Sequence, residues 1–83
     1  MHKDLTLVFS SYQSFNLLNK ILSRFHNKYK IIIIENSLDK KIKIALEKKY
    51  NNTEVIIPEK NLGLAKSYNL GIKKAKTKFV FLN

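Results

Sequence analysis

Cysteine and tryptophan are missing from this 83-residue chain, proline occurs once (Pro58) and glycine twice (Gly63 and Gly71). Without cysteine there is no disulfide and no thiolate-held zinc or iron–sulfur centre, and nothing ties the chain to an oxidising compartment. The two histidines, His2 and His26, have no second ligand at metal-site spacing and read as terminal or surface residues. Long apolar runs are also missing. Ile31 to Ile34 falls far below the ~20 residues a membrane span requires, and the start Met1-His2-Lys3-Asp4 leads into only a short apolar run, with no readable signal peptide. A cytoplasmic protein is expected, with the cytoplasmic face of a membrane as a further setting.

Acidic residues are scarce: Lys+Arg 16 against Asp+Glu 6 leaves a formal charge of +10. Such a charge attracts nucleotides, nucleic acid or an anionic membrane surface. The lysines are spread as Lys40-Lys41-Lys43, Lys48-Lys49, Lys73-Lys74 and Lys76-Lys78 rather than in one block, which is also the pattern of solvated helix faces.

What is present is enough to fold. At 45% hydrophobic and 11% aromatic residues, the chain is not composed like a disordered segment. Eighty-three residues make at most one small domain, burying only about 60–65% of the unfolded surface.

Leu5 to Phe9, Ile31 to Ile34, Glu54 to Ile57 and Phe79 to Leu82 are apolar, largely non-alternating runs, as expected for four buried strands. Between them, Leu18, Ile21, Leu22 and Phe25 follow a cap at Ser14 with helical spacing. Ile42, Ala45, Leu46 and Lys49 follow a cap at Asp39, and Ala65, Tyr68, Ile72 and Ala75 define one face of a third helix. The order β-α-β-α-β-α-β predicts an α/β fold, a parallel sheet with helices on both faces.

Ligands of open parallel sheets bind outside the carboxyl ends of the strands. That rule nominates Ser10-Ser11-Tyr12, Glu35-Asn36-Ser37, the loop Glu59 to Gly63, and the end of the fourth strand. Ser10, Ser11 and Tyr12 offer hydroxyls and an aromatic face to a sugar or a base; a helix-capping turn is the alternative. Glu35 ends an Ile-rich strand, where a carboxylate needs donors: a ribose hydroxyl or base N–H, or equally the backbone of its own turn. Asn61 stands where it caps the third helix, and Gly63 where the backbone approaches closely or takes an unusual φ. Asn69 falls beside the apolar face of that helix. Gly71 costs about 1 kcal/mol relative to Ala, so a ligand, a neighbouring loop or tight helix–sheet contact is required there. The glycine-rich phosphate-binding motifs G-x-G-x-x-G and G-x-x-x-x-G-K-[ST] are both absent.

These residues resemble the N-terminal, nucleotide-binding half of a family 2 glycosyltransferase, with a Rossmann-like GT-A fold. The resemblance rests on Ser10-Ser11-Tyr12-Gln13 against the family's Pro-Thr-Tyr-Asn, and on Ile33-Ile34-Glu35-Asn36-Ser37 against Val-Val-Asp-Asn-x-Ser. It rests more specifically on Asn61-x-Gly63-x-x-x-Ser67-x-Asn69-x-Gly71 with the closing Phe81-Leu82-Asn83. It implies that Ser11 and Tyr12 line a base pocket, that Glu35 holds base or ribose, that Asn61 and Gly63 shape the nucleotide wall, and that Lys66 assists with the diphosphate. Ser10, Gln13, Glu35 and Tyr68 depart from the commoner Pro, Asn, Asp and Arg or Asn.

The implied activity is sugar transfer from a nucleotide-sugar donor to a saccharide, lipid or protein acceptor. A divalent magnesium or manganese ion is expected in the complete domain, but no metal ligand and no catalytic base is expected within these residues. Residues 1–83 are expected to be one partial domain, stopping short of the family's Asp-x-Asp and inactive alone. The alternatives are a basic α/β module binding nucleic acid or another polyanion, disfavoured by the dispersed lysines, and a non-functional gene remnant. Peripheral contact with a membrane by the complete protein stays open.

Overall fold

Seven elements follow one another in the expected alternation. They are β1 (His2–Ser11), α1 (Phe15–Phe25), β2 (Tyr29–Glu35), α2 (Lys40–Lys49), β3 (Thr53–Ile56), α3 (Gly63–Lys74) and β4 (Phe79–Leu82). The computed structural model describes residues 2–83, the side chain of His2 excepted. The strands form one parallel sheet in the order β3-β2-β1-β4. This is the α/β architecture expected from the sequence.

The Ile-rich run explains the layering, because successive side chains of a strand point to opposite faces. Ile31 and Ile33 join Leu18 and Leu22 of α1 and Ile42 and Leu46 of α2. Ile32 and Ile34 join Val8 on the other face, against Tyr68 and Leu70 of α3. All four isoleucines are buried, so β2 is covered on both sides as predicted.

The fourth strand is not buried. Phe79 and Phe81 are each 58% exposed and Leu82 is 40% exposed, because β4 is an edge strand paired on one side only, with β1. Between Phe81 and Phe25 lies an open, mostly apolar cavity of about 370 Å³.

The inner face of α3 also differs from the expected one. Its buried residues are Ser67 and Gly71, flanked by the partly buried Tyr68 and Leu70, while Ala65, Asn69 and Ile72 are exposed. The stripe is turned by about one residue, because small side chains let the helix axis approach the sheet. A Cβ at Gly71 would lie 2.3 Å from Val8 Cγ1, so tight helix–sheet contact is the reason for this glycine. Asn69 therefore needs no buried partner.

Of the predicted caps, Asp39 accepts from the Lys41 N–H at 2.9 Å. Ser14 does precede α1, but its hydroxyl donates to the Tyr12 carbonyl instead of capping the helix.

Candidate functional site

The carboxyl ends of β1 and β2 lie side by side, with Ser11 opposite Glu35. Glu35 is fully buried, and its carboxylate is the centre of a knot. Oε1 accepts from the Ser11 hydroxyl at 2.6 Å. Oε2 accepts from the Gln13 N–H at 3.0 Å and from the Ser37 N–H and hydroxyl at 3.1 and 2.5 Å. Burial alone pushes this carboxyl up, but the Ser11 and Ser37 hydroxyls and the Gln13 and Ser37 N–H groups outweigh it and hold it below its ordinary 4.5. Glu35 is accordingly ionised at neutral pH.

The two turns around the carboxylate are bent to reach it. Gln13 and Leu38 take φ values of 50° and 65°, a left-handed region that non-glycine residues enter rarely. The Gln13 N–H points to Glu35 from one such bend, and the Leu38 N–H donates to the Glu35 carbonyl at 3.4 Å from the other.

Asn36 does for α3 what Glu35 does for the first turn. Its amide nitrogen donates to the Ser10 and Ser67 hydroxyls at 3.1 and 2.9 Å, and its carbonyl oxygen accepts from the Leu62 N–H at 2.8 Å. Ser67 in turn donates to the Gly63 carbonyl at 2.5 Å. Asn36 thus joins the end of β1, the Asn61–Leu62 turn and the first turns of α3. Asn36 lies within the nominated segment Glu35-Asn36-Ser37 but has no expected role of its own; a polar residue directly after an apolar strand is the sign that marks it.

Asn61 accepts from the Gly63 N–H at 2.9 Å, one residue earlier than an N-cap, since Leu62 holds the cap position. Gly63 has a φ of 75°, and a Cβ there would meet nothing within 4 Å. The requirement at Gly63 is therefore the backbone angle and not close approach.

The six predicted residues separate into two layers. Ser11 and Glu35 are buried and bonded to each other, whereas Tyr12, Asn61, Gly63 and Lys66 are exposed around them. Tyr12 is 60% exposed, with its ring available to a planar ligand. A small cavity of about 170 Å³ beside Ser11 is lined also by Ser14, Leu17 and Asn83. His26 follows the last turn of α1, half-buried and edge-on to Tyr50 at 5.1 Å.

A family model described as glycosyl transferase family 2 matches residues 15–82, most of the chain. The chain belongs to glycosyl transferase family 2. No curated protein and no solved structure matches it.

For a family 2 chain the expected divalent metal calls for converging carboxylates. The only aspartates are Asp4 and Asp39, with Asp39 engaged as the α2 cap, and among the described residues no group of three His, Cys, Asp or Glu comes together. The residues present do not fit a metal site. Glu35 is fully buried, with four hydrogen bonds on its carboxylate, and does not project into a shared ligand set. No helix of the described residues is long and apolar enough to cross a membrane.

Proposed function

We propose that this chain contributes the nucleotide-sugar side of a glycosyltransferase, with the donor's nucleoside diphosphate seated on the loops at the carboxyl ends of β1 and β2. The observation that carries this reading is the Glu35–Asn36 knot, which ties three loops together at the one end of the sheet where parallel-sheet ligands bind. Family 2 membership supplies the donor class.

In this reading Tyr12 offers its ring to the base and Ser11 sits at the floor beneath it. Glu35, fully enclosed beneath the surface, holds the turns in place. Asn61 and Gly63 shape the wall that Lys66 flanks, the ammonium group lying within reach of the diphosphate. The acceptor would be a saccharide, lipid or protein met in the cytoplasm or at its membrane face. No Asp-x-Asp occurs within residues 1–83, and in this reading they bind donor without turning it over.

Amide NMR during a titration with uridine diphosphate tests the reading. Saturable shifts centred on Tyr12, Gln13, Gly63 and Lys66 are expected, with no donor hydrolysis or transfer by the same sample. Shifts confined to other parts of the sheet would refute the binding assignment, and donor turnover would refute the predicted inactivity.

A further inference from the structure

We propose a second anion site at the opposite end of the strands: a lysine-lined cavity on the α3 face that takes a phosphate group of two or more negative charges, such as a diphosphate. The cavity measures about 350 Å³ and is bounded by Lys3, Lys30, Lys74 and Lys76, with Glu54 in one wall. These lysines come from β1, β2, the end of α3 and the loop after it, so the fold gathers charges that are far apart in sequence.

What sets this place apart is that four cations converge on one concavity. Among the described residues the side chains of Lys3, Lys30, Lys74 and Lys76 have no ion pair or hydrogen bond, as is true of most lysines here other than Lys43 and Lys49, but these four line a single cavity. Four ammonium groups against the single Glu54 carboxylate leave three positive charges around one concavity. Left alone they repel one another, and an anion seated among them is attracted by all four at once. Compact ammonium groups bind phosphate as point charges.

The cavity is built on a fixed floor. Thr6 is fully buried and shares a 2.6 Å hydrogen bond with Thr77, whose hydroxyl also donates to the Phe79 carbonyl at 2.8 Å. This ties the loop after α3 to β1 and sets Lys76 opposite Lys30, the strand neighbour of Thr6. With both hydroxyls so engaged, recognition falls to the ammonium groups. The carbonyl end of α3 and Glu54 oppose an anion, which is why the ligand must carry at least two charges to gain from the site. Ser11 lies five residue steps beyond Thr6 along β1, roughly 16 Å, so one diphosphate cannot occupy this cavity and touch the Glu35 knot.

Sodium pyrophosphate titrated into the labelled chain, followed by amide NMR, is the direct test. Saturable shifts centred on Lys30, Glu54, Ala75 and Thr77 are expected. Lys74→Gln with Lys76→Gln, both at exposed positions, and separately Lys3→Gln with Lys30→Gln, should each weaken binding about tenfold. Lys20→Gln with Lys48→Gln, an equal loss of charge on α1 and α2, should change it less than about twofold. Equal weakening by all three pairs would reduce the effect to overall charge and overturn the site, as would shifts restricted to Ser11 and Gly63. Co-sedimentation with phosphatidic-acid vesicles separates the sources. Vesicle binding lost in Lys74→Gln/Lys76→Gln identifies a lipid phosphate, and pyrophosphate binding without vesicle binding identifies a free one. The site stands apart from the donor reading, since uridine diphosphate shifts near Tyr12 neither require it nor exclude it.

Discussion

On the α1–α2 side of the sheet, Phe9, Leu18, Leu22, Ile31, Ile33, Ile42, Leu46, Tyr50 and Val55 form one buried apolar cluster. On the α3 side the fully enclosed apolar residues are Val8, Ile32 and Ile34. The first face is filled by branched side chains from two helices, and its cohesion comes from apolar area removed from water. The second makes up for a small cluster by proximity and polar ties: Gly71 against Val8, and Ser67 and Leu62 against Asn36. Volume tolerates small changes of shape better than close approach does. The expected site belongs to the second kind of construction, because hydrogen-bonded turns can hold loops at defined angles where a side-chain cluster only fills space.

The largest effect should come from emptying the first face. Leu46 is fully buried, and Leu46→Ala should cost about 3 kcal/mol in urea unfolding. Leu70→Ala, at a partly buried position on the α3 face, should cost about 1 kcal/mol. Equal losses would erase the proposed distinction between the faces.

Gly71→Ala probes the second face at its tightest point. A Cβ at 2.3 Å from Val8 Cγ1 forces α3 away from the sheet, and a net loss of about 2 kcal/mol is expected even after the gain in helix propensity. Val8→Ala removes the obstructing methyls, so the double variant should be more stable than the sum of the two single losses predicts. Strict additivity would show that this contact does not limit the approach of the helix.

Glu35→Gln tests whether charge, and not shape alone, holds the turns at the site. The wild-type carboxyl lies below its ordinary 4.5 when folded, so its contribution is complete above that value and disappears as pH falls through the lower, folded value. Unfolding midpoints should therefore be level from pH 7 to about 5 and drop in more acid solution. The glutamine variant should start about 1.5 kcal/mol lower at pH 7 and show a shallower acid decline. An unchanged acid decline would assign the pH dependence to other carboxyl groups.

The difference between the faces also accounts for what could be read from the sequence. β2 was legible because four consecutive β-branched isoleucines without alternation are the pattern of a strand covered on both sides. α1 and α2 were legible because large apolar residues mark their inner stripes. The inner stripe of α3 was misread: Ser67 and Gly71 carry no hydrophobic mark, so Tyr68 and Ile72 drew the stripe about one residue away from its place. At the site, Gly63 and Asn61 could be placed from local turn chemistry, since their bond spans two residues. The Asn36 ties reach across 26 and 31 residues and exist only once β1, β2 and α3 are assembled.

The faces meet at the two sheet edges, and the smallest stability change is expected there. Along β3 the Val55 N–H donates to Glu47 at 2.8 Å and Lys43 donates to the Val55 carbonyl at 2.6 Å, so α2 occupies the outward backbone groups of Val55. β4 has bare phenylalanines instead. Phe81→Lys should alter stability by less than about 0.5 kcal/mol, because the side chain is mostly in water already. It should nevertheless lower light scattering in concentrated samples, since a charge on an apolar edge opposes strand pairing between chains. Glu47→Ala should do the reverse, raising scattering by freeing the Val55 N–H. If scattering follows Glu47 and ignores Phe81, the vulnerable edge is β3, and apolar exposure on β4 matters less than an unpaired backbone.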